Sequence, residues 1–215
     1  MRPPASRDDS GTSLPELLIT MVLTTILLAL TGTVFVSTMR TVATTKAKQS
    51  QVLDARVALE ALTLRLRVAI APVPGSPAFT TAEPSQVTFY ASLQNGSTAE
   101  SAPTKVDFRI DTARQCLLQT MTPASGVPGS FTWPDAGSRS SCIAFGAITS
   151  RSTLFTYFPK GSAGVVTPLG AAGTVSATDL SRIGSVAIDL TIQAGDAARP
   201  TSVGSRVTLP NTGGT

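Results

Sequence analysis

From Leu17 to Met39 the chain carries no Asp, Glu, Lys or Arg. At 1.5 Å per residue a helix over that run spans roughly 34 Å, enough to cross the hydrocarbon core of a bilayer. Ile19, Val22, Leu23, Ile26, Leu27, Leu28 and Leu30 leave no polar face beyond Thr and Ser. A helix apolar on every side is buried by lipid or by other helices. A secretory signal peptide has a shorter apolar core followed closely by a small-x-small cleavage site, and neither fits here. A core helix of a soluble protein is the other alternative, but helices of this size are seldom apolar all round. Membrane anchoring is the reading this run supports.

The helical pattern starts at Leu14 and does not clearly stop until Pro72, with Gly32 as its one weak point, costing about 1 kcal/mol against Ala. A helix of that extent would run about 87 Å. Beyond Arg40 its character changes. Val52, Ala55, Leu59, Leu62, Leu66 and Ala69 recur at alternating steps of three and four, which lines one side of a helix, while Lys48, Gln49, Asp54, Arg56, Glu60 and Arg67 supply water-facing positions. A coiled-coil seam and a helix laid against a sheet both account for this face.

After "PVPGSP" the period falls to two. Gln86 to Ser92, Lys105 to Asp111, Gln115 to Met121, Ser152 to Phe158, Gly184 to Gln193 and Ser205 to Pro210 are short, rich in β-branched and aromatic residues, and bounded by Gly, Pro, Asn or Ser. They predict strands of one antiparallel sheet. The stretches "TPASGVPGSFTWPDAGSRSS" and "KGSAGVVTPLGAAGTVSATD" lack periodicity and read as long surface loops of about 20 residues each. The predicted class is α+β: a long N-terminal α-helix, membrane-spanning in its first half and amphipathic in its second, packed on a C-terminal antiparallel β-sheet head.

The formal net charge is +4, yet Arg40, Lys46, Lys48, Arg56, Arg65 and Arg67 gather just past the apolar run, where basic residues meet anionic headgroups or acidic neighbours. Aromatic residues are only 5% of the chain, too few for a surface that stacks bases, so no specific nucleic acid is expected. There is no histidine, which removes the commonest general base and the commonest metal ligand; no carboxylate or thiol cluster has metal-ligand spacing in its place. Neither cofactor nor metal nor enzyme activity is expected. Cys116 and Cys142 read most simply as one disulfide, worth about 3 to 4 kcal/mol by loop-closure entropy, with two free buried thiols as the alternative.

Glu16 stands alone at the mouth of the apolar run. "SLPE" fits a capping box, with Ser13 as N-cap, Glu16 reaching back to it, and Pro15 in the first turn where a missing N–H costs nothing. At the edge of a spanning segment, however, a carboxylate is unfavourable unless it snorkels, protonates or meets a cation. Cleavage between Gly11 and Thr12 would create that cation as a new α-amine four residues before Glu16, on nearly the same helical face.

Gly11 followed by "TSLPELLITMVLTTILLAL" resembles the amino-terminal signature of type IV pilins and pseudopilins: a polar leader ending in Gly, a Glu at the fifth residue after it, then an uninterrupted apolar helix. Thr12 departs from the Phe or Met usual there, and no Pro falls midway along the apolar helix. The resemblance implies that a prepilin peptidase cuts between Gly11 and Thr12 and methylates the new amine, and that Glu16 pairs with a terminal amine during filament assembly. It divides the chain into a leader (1–11), an apolar transmembrane and assembly helix (12–39), an amphipathic continuation (40–71) and a β-rich head (72–215).

The head, with "VTFYASLQNG", "KVDFRIDTARQCLLQTMTP" and "IGSVAIDLTIQ", is most similar to PilW-type minor pilins and the larger minor pseudopilins. The implied role is a structural subunit that primes or caps a filament. Its implied partners are prepilin peptidase, other pilin or pseudopilin subunits through the N-terminal helix, and membrane lipid before assembly. The implied location is the cytoplasmic membrane with the head outside, then a filament at the cell surface or in the periplasm. A pseudopilin of a type II secretion or DNA-uptake apparatus, or an anchored adhesion or scaffold domain unrelated to pili, are the alternatives. "LPNTG" at Leu209 to Gly213 spells a sortase signal but lacks the spanning stretch and basic tail such a signal needs, and "NGS" at Asn95 is read as a hairpin turn.

Overall fold

The structure, a computed structural model, describes residues 13–93, 102–146, 153–161, 167–170, 173–193 and 200–212. The leader, Gly11, Thr12, Asn95 and Gly213 lie outside them. The chain divides into two compact units, Met1–Lys48 and Gln49–Thr215.

One helix, α1 (Leu14–Arg67), runs through 54 residues. It opens on the carbonyl of Ser13, which accepts from the N–H of Glu16 at 2.9 Å and of Leu17 at 3.2 Å. In the first unit its side chains are exposed from Leu14 through Lys46. The threonines of the apolar run turn their hydroxyls back on the helix: Thr24 donates to the carbonyl of Thr20, Thr25 to Met21, Thr31 to Leu27 and Leu28, and Thr38 to Val34, at 2.6 to 3.0 Å. Each hydroxyl is satisfied within its own helix, so this surface stays compatible with an apolar medium despite its Thr content.

In the second unit α1 packs on antiparallel sheet, which makes the protein α+β with a helix-on-sheet core rather than a coiled-coil seam. Ala55, Leu62, Leu66 and Ala69 are buried as their spacing predicts. Two places differ: Gln51 and Ala58 are the fully buried neighbours, whereas Val52 and Leu59 are half-buried. The helix also ends at Arg67, short of Pro72. A sheet edge competes for its backbone there, because Ser92 N–H donates to Val68 O at 3.0 Å and Ile70 N–H to Tyr90 O at 2.9 Å, with Ala69 bridging Ala91.

The strands form two sheets, not one. A five-stranded antiparallel meander runs β1 (Phe79–Ala82), β2 (Gln86–Ala91), β3 (Thr104–Asp111), β4 (Cys116–Thr122) and β5 (Arg139–Phe145) in chain order. A second sheet holds β6 (Phe155–Pro159), β7 (Ile183–Ile192) and β8 (Thr201–Thr208). The outer edge of β1 is engaged by Val175, whose N–H donates to Ala82 O, and that of β6 by Leu169, whose N–H donates to Tyr157 O. Phe155 N–H to Pro84 O, at 3.0 Å, ties one sheet to the other. Their shared core gathers Phe79, Phe89 and Phe108 in ring contact across β1 to β3, with Leu62, Leu66, Ile188 and Leu190.

Candidate functional site

Three features have the placement to act on something outside the chain: the helix entrance at Glu16, the apolar surface behind it, and the loop closed by the two cysteines.

Glu16 lies in the first turn of α1, where a carboxylate meets the positive end of the helix dipole. It is exposed, and it takes part in no ion pair among the described residues; those found are Arg114–Asp111 and Arg182–Asp179, both in the second unit. Behind it Leu17, Leu18, Ile19, Val22, Leu23, Ile26, Leu27, Leu28, Val34 and Phe35 are exposed on all sides, and none of the helix's most apolar stretch is buried within the chain. This helix is long and apolar enough to cross a membrane. Exposed apolar residues continue past Lys48, at Leu53, Val57 and Leu64, on the side of the helix away from the sheet. Such a surface is covered by lipid or by other apolar helices.

Cys116 and Cys142 form a disulfide, with Cα atoms 5.8 Å apart, between neighbouring strands β4 and β5. The loop they close is not simply a surface loop. It contains the first half of β5, where Arg139 to Ser141 are exposed and so carry no alternating hydrophobic signal. It also folds back onto the sheet: Trp133 Nε1–H donates to Pro103 O at 3.0 Å and its ring lies 4.4 Å from that of Tyr90. The tip is a tight hairpin in which Ser125 and Thr132 exchange both backbone hydrogen bonds at 2.8 Å. Gly126 is required there, since φ is +109° and a Cβ would sit 2.6 Å from Ser130 O. The result is a fixed projection bearing Val127, 66% exposed, while Phe145 at the end of β5 is 69% exposed.

The other aperiodic stretch is also not simply a surface loop, since its Val175, and Leu180 directly after it, are buried in the core. Its Asp179 accepts from Ser176 Oγ at 2.9 Å and Arg182 Nη1 at 2.7 Å, and these bonds, that from Ser176 first, hold its carboxyl below the ordinary range. Among the described residues the hollow lined by Pro84, Phe155, Tyr157, Leu169 and Gly170 contains one titratable group, Tyr157. That hydroxyl is committed, donating to Glu83 O at 2.9 Å and Gln86 O at 3.2 Å. On the other face of β2 and β3, Asp107 Oδ1 accepts from Gln86 Nε2 and Thr88 Oγ1, each at 2.7 Å. Among the described residues no group of three or more His, Cys, Asp or Glu is placed to hold a metal.

The structure thus brings Cys116 and Cys142 together and places Glu16 at the head of the apolar surface. Sequence reasoning did not single out Gln51, a buried amide, or Trp133, which anchors the loop. No protein-family model matches the chain, and no curated protein matches it.

Proposed function

We propose that the chain is a minor subunit of a type IV pilus-like filament, stored in the cytoplasmic membrane and drawn out by packing its apolar helix among similar helices. The observation that carries this reading is the isolation of Glu16: one exposed carboxylate at the start of a helix whose next charge is Arg40, with no ionic partner among the described residues. Cleavage by prepilin peptidase between Gly11 and Thr12 supplies an α-amine, from the same chain or a neighbour, and the pair forms as Glu16 leaves the headgroup region. In an apolar surround, opposite charges attract far more strongly than in water, so the pair fixes the register of one helix against the next. The remaining apolar surface supplies the hydrophobic driving force without specifying position. The head sits outside the cytoplasm, where the Cys116–Cys142 disulfide persists, and contributes exposed surface rather than chemistry.

Glu16→Gln tests the pairing directly. Gln keeps the shape of the side chain but removes the charge, so the precursor is expected to accumulate normally in the membrane yet to reach sheared filaments at about a tenth of the wild-type level or less, the loss of roughly 1.4 kcal/mol or more. Wild-type incorporation of Glu16→Gln would remove the basis for the proposal. Replacing Gly11 by a bulky residue is expected to leave the leader attached, read as intact mass of the membrane form.

A second reading, an anchored extracytoplasmic domain that binds through its head and belongs to no filament, draws on the exposed Val127 and Phe145. The same mass measurement separates the two, because that protein retains residues 1–11.

A further inference from the structure

The buried positions of α1 within the second unit are unequal along its length. Toward the C-terminal end the helix is held twice: Leu62 and Leu66 are fully buried, and just past Arg67 the backbone is hydrogen-bonded to β2 and Ser92 through Val68 and Ile70. Toward the other end the buried positions are Ala58, Ala55 and Gln51. Each alanine brings only a methyl group, so little apolar area and few dispersion contacts depend on its staying docked. Gln51 is 4% exposed, and neither its Nε2 nor its Oε1 has a hydrogen-bond partner among the described residues. A carboxamide offers two donors and two acceptor lone pairs, all hydrated when it is exposed. Burying it unpaired opposes docking at that turn.

We infer that Gln49 to Ala58 is a release segment, which lifts from the head and hydrates Gln51 while Leu62 to Ala69 stays in place. Lifting costs the contacts of Ala55 and Ala58 and of the half-buried Val52. The freed turns, bent away from the docked part and no longer held by packing, fray and exchange their amides, because so short a stretch of helix is marginal in water. Leu59, half-buried and packed against the core, marks the border between the part that moves and the part that stays. The segment therefore belongs to the low-stability end of the head's local opening events. The inference concerns motion inside the second unit and stands whether or not the chain enters a filament.

Thiol labelling tests it on the full chain in detergent micelles, without reductant, so that the Cys116–Cys142 disulfide stays closed. Ala55→Cys and Ala69→Cys are matched probes, since both alanines are buried, at 0% and 1% exposure. The Ala55→Cys thiol is expected to react about tenfold faster than the Ala69→Cys thiol. Adding Gln51→Leu, which removes the unpaired amide, is expected to slow labelling at position 55 by about fivefold and to leave position 69 unchanged. Equal rates at the two positions, or no response to Gln51→Leu, overturn the inference. Amide hydrogen exchange of the unsubstituted chain reads the same motion without any variant: residues 52–58 are expected to be about tenfold less protected than 62–66. Uniform protection along the helix would sink the idea independently of how the variants fold.

Discussion

Tyr157 shows how much one side chain holds between the two sheets. Its hydroxyl spans from β6 to the carbonyls of Glu83 and Gln86, where β1 turns into β2. Burial first, then the charge of Glu83, push its pKa well above the ordinary 10.0, against a smaller opposing effect of the hydrogen bond to Glu83. The folded protein thus keeps this proton where the unfolded chain loses it. The stability so contributed is fully present below pH 10.0 and is lost as pH rises from there toward the folded pKa. Tyr157→Phe is expected to cost about 1 kcal/mol at neutral pH, for the lost hydrogen bonds, and to flatten the fall in melting temperature above about pH 10. Thermal melts from neutral to strongly alkaline pH read both effects. Glu16 was legible at this scale because a lone carboxylate beside an uncharged run stands out in any one-dimensional reading. Gln51 was not, because its side-chain type implies solvent and only the packing around it says otherwise.

Among the elements, the legible ones were those with a strong residue signal. β3 and β6 alternate over their first residues, whereas β2, β4 and β7 bury neighbouring positions on both faces and were read from β-branched and aromatic residues between turn signals, as was the second half of β8. The second half of α1 showed its sheet-facing stripe. β1, with four residues, is too short to establish a period, and β5 buries only Ala144 fully, so neither announced itself. The end of α1 was misplaced for a different reason: the pattern continues through Ala69, but the backbone there bonds to a strand far away in sequence. The stripe itself is open to experiment. Leu62→Ala, at a fully buried position, is expected to destabilise the head by about 2 to 5 kcal/mol, whereas Leu64→Ala, two residues on and 56% exposed, is expected to change it by less than about 0.5 kcal/mol. Denaturant melts of the two variants make the comparison, and equal effects would mean that another face of the helix meets the sheet.

For the molecule as a whole, the α+β class was written in periodicity, but the split into two sheets was not. Which strand edge is free depends on where Leu169 and Val175 attach, and those pairings link residues distant in sequence. The disulfide is a constraint at this same scale. Cys116→Ser with Cys142→Ser is expected to lower head stability by about 3.5 kcal/mol, the loop-closure entropy of the segment between them, measured by denaturant unfolding with and without reductant. The bond has one more consequence. A protease that nicks the chain at the Val127 tip cuts between the two cysteines, so the fragments stay covalently joined. The damage would migrate as an intact polypeptide on a non-reducing gel and separate into two pieces only after thiol treatment.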